Sequence, residues 1–179
     1  MYKRQDDFFG KQLREAITEV GIDSTGLLSD PEIHTTLAMV HTYPDGDRDF
    51  SFYRNPGADM MLKEDEIPTE LIKNSKIFHF GTLSMTHDGV RAATKKAISI
   101  AEEANALISF DPNLRPPLWK SLDDAKEQVL YGLGHCHILK ISDNEIQWLT
   151  GKEDYTDGVN WIRERYNICL LYTSPSPRD

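Results

Sequence analysis

The chain has 179 residues and a net charge of −9, from 29 acidic against 20 basic side chains. That length suits one domain with a substantial core, and an acidic surface repels polyanions, which argues against sequence-independent nucleic-acid binding. No stretch approaches the roughly 20 apolar residues of a membrane helix, and no apolar run follows the basic residues at the start, as a secretory leader requires. The two cysteines, Cys136 and Cys169, lie far apart and without metal-ligand spacing. This fits a soluble protein of the reduced cytoplasm rather than a disulfide scaffold.

In chain order, residues 1–5 and 169–179 read as extraneous to the fold. The tail runs from an apolar stretch straight into Ser174-Pro175-Ser176-Pro177, which neither continues a sheet nor starts a long helix. Both ends resemble translated adapter sequence, so residues 6–168 are taken as the informative part. The first element is a helix with Phe9, Leu13, Ala16, Ile17 and Val20 on one face, closed by Gly21. The period then changes. Residues 36–43 are rich in strand formers, Pro44-Asp45-Gly46-Asp47 is a turn signal, and Phe50 and Phe52 alternate in the stretch that follows. This predicts a β-hairpin with Arg54 on the Phe50 and Phe52 face, broken at Asn55-Pro56-Gly57.

From Lys76 the pattern is α/β. Apolar strands begin near Lys76, Ala106, His137 and Asn167, about every thirty residues. One helix between them carries Val90, Ala93, Ala97, Ala101 and Ala104, and the next carries Leu122, Ala125, Val129, Leu130 and Leu133 behind a Ser121 cap. A short helix runs over 142–150 to Gly151, and another carries Val159, Ile162 and Tyr166. Strand, helix and strand at this spacing predict right-handed crossovers and a parallel sheet.

Ligands of open parallel sheets bind beyond the carboxyl ends of the strands. Those ends are Gly81-Thr82-Leu83-Ser84, Asp111-Pro112-Asn113-Leu114-Arg115 and Ser142-Asp143-Asn144-Glu145. Asp111-Pro112-Asn113 also reads as an Asx-type turn. Arg115, framed by that turn and by Pro116-Pro117, suits bidentate binding of phosphate or carboxylate. Ser142-x-x-Glu145 is a capping box in form, and Glu145 could also help organise a hydrated Mg2+ beside phosphate oxygens. His135-Cys136-His137 has too few further ligands nearby for a metal site. Gly132-Leu133-Gly134 closes a helix rather than opening one, so it is not a phosphate loop.

At these positions the chain resembles the PfkB (ribokinase-like) carbohydrate kinases, fructokinases above all. The resemblance lies in Phe52-Tyr53-Arg54-x-x-Gly57-Ala58-Asp59, His79-Phe80-Gly81-Thr82-Leu83-Ser84, Ser109-Phe110-Asp111-Pro112-Asn113-Leu114-Arg115-x-x-Leu118-Trp119 and Lys140-Ile141-Ser142-Asp143-x-Glu145. It implies an incomplete ribokinase-like three-layer α/β domain over 6–168, with the hairpin of about 34–54 as a lid that also serves a possible homodimer. It implies transfer of the ATP γ-phosphate to a sugar hydroxyl, with Mg2+. Arg54, Phe52, Asp111 and Asn113 would hold the sugar, Arg115 would stabilise the transferring phosphoryl group, and Ser142 and Glu145 would serve the nucleotide, Glu145 through metal-bound water. Ser142 stands where the family often has Asn, a fructokinase-like variation.

The family's base, an Asp in a Gly-Ala-Gly-Asp run, has no counterpart here, nor do the Gly-Gly and Asp elements that hold the sugar or most of the adenine pocket. The expectation is therefore a fructokinase fragment without activity of its own. The alternatives are a 2-keto-3-deoxygluconate kinase fragment and a non-catalytic dimerisation or binding module. An Asp-nucleophile phosphatase built on Asp111 is disfavoured, because Asn113 stands where such enzymes carry a second acid.

Overall fold

The computed structural model describes residues 2–173, which divide into two compact units at Glu66 and Ile67. In the first, β1 (Tyr2–Gln5) pairs in parallel with β2 (Leu27–Asp30), and α1 (Phe8–Glu19) connects them. The Asp7 carboxylate caps α1 by accepting from the Gly10 amide at 2.7 Å. It also accepts from the Thr35 amide at 3.0 Å and the Thr35 hydroxyl at 2.8 Å, tying the helix start to a distant loop. Gly21 ends the helix with φ of +76°, the left-handed conformation that glycine adopts without a steric penalty. The expected apolar stripe is present but uncovered: Phe9, Leu13 and Val20 are exposed, and Gly10 is the residue of α1 that is buried.

The hairpin forms where the turn signal placed it. β3 (Leu37–Thr42) and β4 (Arg48–Tyr53) pair antiparallel, Leu37 opposite Tyr53 and Thr42 opposite Arg48. The turn closes with the Tyr43 amide donating to the Asp47 carbonyl at 2.8 Å, and Gly46 takes φ of +89°. Phe50 and Phe52 stack along β4 with centroids 6.0 Å apart.

The ends differ from the sequence expectation. Tyr2–Gln5 is a paired strand rather than a loose extension, and its Lys3 is buried between Glu66 at 2.7 Å and Asp30 at 3.5 Å. A four-residue strand with a lysine turned inward has no apolar alternation to reveal it. The last strand is Leu170–Tyr172 (β8) rather than one starting at Asn167, and it too falls in a stretch read as extraneous. The Ser/Pro tail from Ser174 lies outside the described residues.

In the second unit, β5 (Ile77–Gly81), β6 (Leu107–Asp111), β7 (Ile138–Lys140) and β8 form one parallel sheet in that order. The crossovers are α3 (Asp88–Glu103), α4 (Leu122–His135), and the pair α5 (Asp143–Thr150) and α6 (Tyr155–Arg165); a short α2 (Thr69–Lys73) precedes β5. Alternation along the strands buries Phe80, Ile108, Phe110 and Leu139, while Ile77, Leu107, Leu170 and Tyr172 point to the open side. Val90, Ala93, Ala97 and Ala101 of α3 are buried as the spacing predicts. In α4, Ala125, Val129 and Leu133 are buried but Leu122 is exposed, since it opens the helix beside its cap. Gly132 is required for close approach: a methyl there would collide with the Phe110 ring, which itself stacks on Phe80 at 4.6 Å.

Candidate functional site

The carboxyl edge of this sheet gathers the charged residues of three successive crossovers. β5 leads into Thr82, whose hydroxyl donates to the Pro112 carbonyl at 2.5 Å and is wholly buried. This joins the exits of β5 and β6. β6 ends at Asp111, where Oδ2 faces Lys140 Nζ of β7 at 3.3 Å and Oδ1 is enclosed without a hydrogen-bond partner. Asn113 then takes φ of +43°, a left-handed conformation that Asn tolerates better than most residues, and so turns the chain toward Arg115. Asn113 is exposed; Leu114 and Arg115 are half-buried. The Arg115 guanidinium donates to the Leu114 carbonyl at 3.1 Å, and Pro116–Leu118 closes the loop as a 3-10 turn.

Glu145 links this loop to the next crossover. Its Oε2 accepts from the Ser142 amide at 2.9 Å and the Ser142 hydroxyl at 2.8 Å, while the Glu145 amide donates to Ser142 Oγ at 3.4 Å. That is the capping box expected from the sequence, an arrangement of the kind worth about 1 kcal/mol to a helix. Its Oε1 accepts from the Leu114 amide at 2.6 Å, across 31 positions in sequence. Capping and site-building are thus two uses of one side chain. Neither Lys140 nor the Leu114 amide was singled out from the sequence. A lysine two residues before a cap carries no signal of its own, and a backbone amide has no sequence signature.

Arg54 and Phe52 lie in the other unit. The Arg54 side chain is 5% exposed and pairs with Asp59, with Nη2 at 2.6 Å and Nε at 2.7 Å from Oδ2. Asp59 Oδ1 accepts from the Thr36 hydroxyl. Gly57 makes this cluster possible, because a side chain there would strike Thr36 Oγ1 and Asp59 Oδ1. Sequence reasoning missed Asp59 as the partner of Arg54. The signal available was an acid five residues on, past a Pro-Gly break.

At the opposite, amino-terminal edge of the sheet lies a recess of about 340 Å³ lined by Glu102, Asn105, His135, Cys136, His137 and Asn167 among others. The histidines there have structural partners. His135 Nδ1 lies 2.6 Å from Glu102 Oε1, and His137 Nδ1 accepts from the Ile108 amide at 3.0 Å. Burial pushes the Cys136 thiol up to about 12, so it is not a ready thiolate. Among the described residues no group of three His, Cys, Asp or Glu side chains is placed to hold a metal ion. None of the described helices is long and apolar enough to cross a membrane.

A model of the pfkB family of carbohydrate kinases matches residues 3–170. A probable fructokinase-2 of Arabidopsis thaliana is 43% identical over 169 residues, covering 94% of this chain and 51% of that protein. A fructokinase from Xylella fastidiosa, solved with bound ATP, superposes with a TM-score of 0.83 at 26% identity, over 99% of this chain and 57% of that one. A fructokinase from Vibrio cholerae O395, solved with fructose, ADP and a calcium ion, gives 0.85 at 27%, over 97% and 55%. The chain spans about half the length of the curated relatives it matches.

Proposed function

We propose, from the fact that this chain belongs to the PfkB family of carbohydrate kinases, that its intact parent transfers the γ-phosphate of ATP to a hydroxyl of fructose. The observation that supports this best is the loop of Asp111 to Arg115, which the Glu145 carboxylate holds at the carboxyl edge of a parallel sheet. In this reading the fixed positive charge of Arg115 stabilises the phosphoryl group as it leaves ATP, a task that needs placement rather than proton chemistry. Asn113 and Asp111 at the mouth of β6, and Arg54 with Phe52 from the hairpin, serve the sugar. Asp59 and Lys140 hold the charges of Arg54 and Asp111 in register.

Mg2+ enters the reading through the nucleotide. The described residues supply no direct coordination set, but Glu145 Oε1 accepts one hydrogen bond and has a second lone pair for a metal-bound water. Such an ion would neutralise phosphate charge. Ser142 and Glu145 would then face the phosphates of ATP. The exposed Met39, Val40, Tyr43 and Tyr53 of the hairpin support a homodimer formed through that element. Free Cys136 and Cys169 support a cytoplasmic location.

By the same reading the 179-residue chain does not phosphorylate sugars by itself, because no Gly-x-Gly-Asp run supplies a base. The test is a substrate panel on the intact parent. Fructose should give the highest kcat/KM with ATP; a preference for 2-keto-3-deoxygluconate would move the assignment to that kinase. Turnover of fructose by the purified 179-residue chain would overturn the reading of the fragment.

A further inference from the structure

We propose that Glu145 is a positioning residue for Arg115, acting through the Leu114 amide and independently of any metal ion. The inference rests on the kinase reading only for its kinetic consequence; its geometry is a property of this chain. Both carboxylate oxygens accept hydrogen bonds from the chain. Oε2 receives the Ser142 amide and hydroxyl, which hold the carboxylate at the start of α5, and Oε1 receives the Leu114 amide at 2.6 Å. A short bond from an amide to a charged acceptor is among the stronger hydrogen bonds a protein makes.

The place where the bond lands gives it meaning. Leu114 lies between Asn113, held at φ of +43°, and Arg115, whose guanidinium turns back to the Leu114 carbonyl at 3.1 Å. Without the Glu145 acceptor, the Leu114 peptide would lose its tie to α5 and could rotate. Asn113 would then relax out of its left-handed conformation, and the start of the Arg115 side chain would move. Misplacement of a phosphate-binding charge by about 1 Å costs on the order of 10²-fold in rate. The Ser142 backbone amide holds Oε2 as well, and this bond persists when the Ser142 hydroxyl is removed.

Two measurements test this. In the 179-residue chain, the Leu114 amide should exchange slowly with solvent. Exchange should quicken at least tenfold in Glu145→Ala and stay slow in Ser142→Ala, which leaves the Oε1 bond in place. Fast exchange at Leu114 in the unmodified chain overturns the proposal whatever the parent's activity. In the intact parent, Glu145→Ala and Arg115→Ala should each lower kcat about 10²-fold, and the double variant should fall no further than about threefold below Arg115→Ala. Fully multiplicative losses, or recovery of Glu145→Ala at high Mg2+, overturn it. A parent without sugar kinase activity would refute the proposed function, while the exchange experiment would still decide the geometry.

Discussion

The two units use their charges in opposite ways. In the first, charged groups do the work of a core. Lys3 is buried between Asp30 and Glu66, Arg54 against Asp59, and the Asp7 carboxylate joins α1 to Thr35. Among the described residues, Leu27, Ala58 and Leu62 are the buried hydrophobic ones there, and the α1 stripe is exposed. In the second, an apolar core of Phe80, Ile108, Phe110, Leu139 and the α3 alanines carries the structure, and Asp111, Lys140, Arg115 and Glu145 stand at the carboxyl edge of the sheet. A buried charge is tolerable only when paired and hydrogen-bonded. The first unit therefore depends on each pair, whereas the fold of the second rests on its apolar core.

The sharpest break of this contrast is Phe110→Ala. Removing a fully buried ring stacked on Phe80 and packed on Gly132 should destabilise the second unit by about 3–5 kcal/mol. Denaturant unfolding followed by tryptophan fluorescence isolates the effect, since Trp119, Trp148 and Trp161 all lie in that unit. Arg115→Ala should leave the same unfolding curve within about 0.5 kcal/mol of the original, yet lower kcat of the parent about 10²-fold. An equal loss of stability would mean that Arg115 serves the fold.

In the first unit, Asp59→Asn should cost about 2 kcal/mol, because it removes the charge opposite a nearly buried guanidinium. Amide exchange across β3 and β4 would show it, and the tryptophan signal should not move.

The smallest effect is one of pH. Burial by itself would raise the Asp7 and Asp30 carboxyls. Amide hydrogen bonds from Gly10 and Thr35 to Asp7, and from Glu32 and Ile33 to Asp30 together with the Lys3 charge, outweigh burial and hold both below the usual value. A carboxyl lowered by folding contributes stability that is present above about pH 4 and is lost as pH falls through its folded value. Burial would lower Lys3, but Glu66 and Asp30 raise it, so its contribution is present below about pH 10.5 and fades as pH rises through its folded value. Amide exchange in the first unit should therefore quicken below pH 4 before the tryptophan signal of the second changes.

Legibility in the sequence follows the same division. The second unit could be read almost element by element, because strands and helices that share an apolar core must repeat their hydrophobic periods. Ser121, Ser142 and Gly151 marked helix ends because caps need particular side chains or a left-handed residue. In the first unit the hairpin announced itself through Asp45-Gly46. β1 did not, since its inward residue is Lys3, and the stripe on α1 promised burial that does not occur. At the candidate site, residue types pointed to Asp111, Asn113, Arg115, Ser142 and Glu145. The contacts that organise them, Glu145 with the Leu114 amide and Asp111 with Lys140, join positions about thirty residues apart and have no local signature.

The most direct test of the account is a crystal structure of the intact parent with fructose, ADP and a planar fluoride mimic of the transferring phosphoryl group. The Arg115 guanidinium should be hydrogen-bonded to the mimic, with the Leu114 amide still on Glu145. An Arg115 turned away from it, with some other cation in its place, would contradict the account.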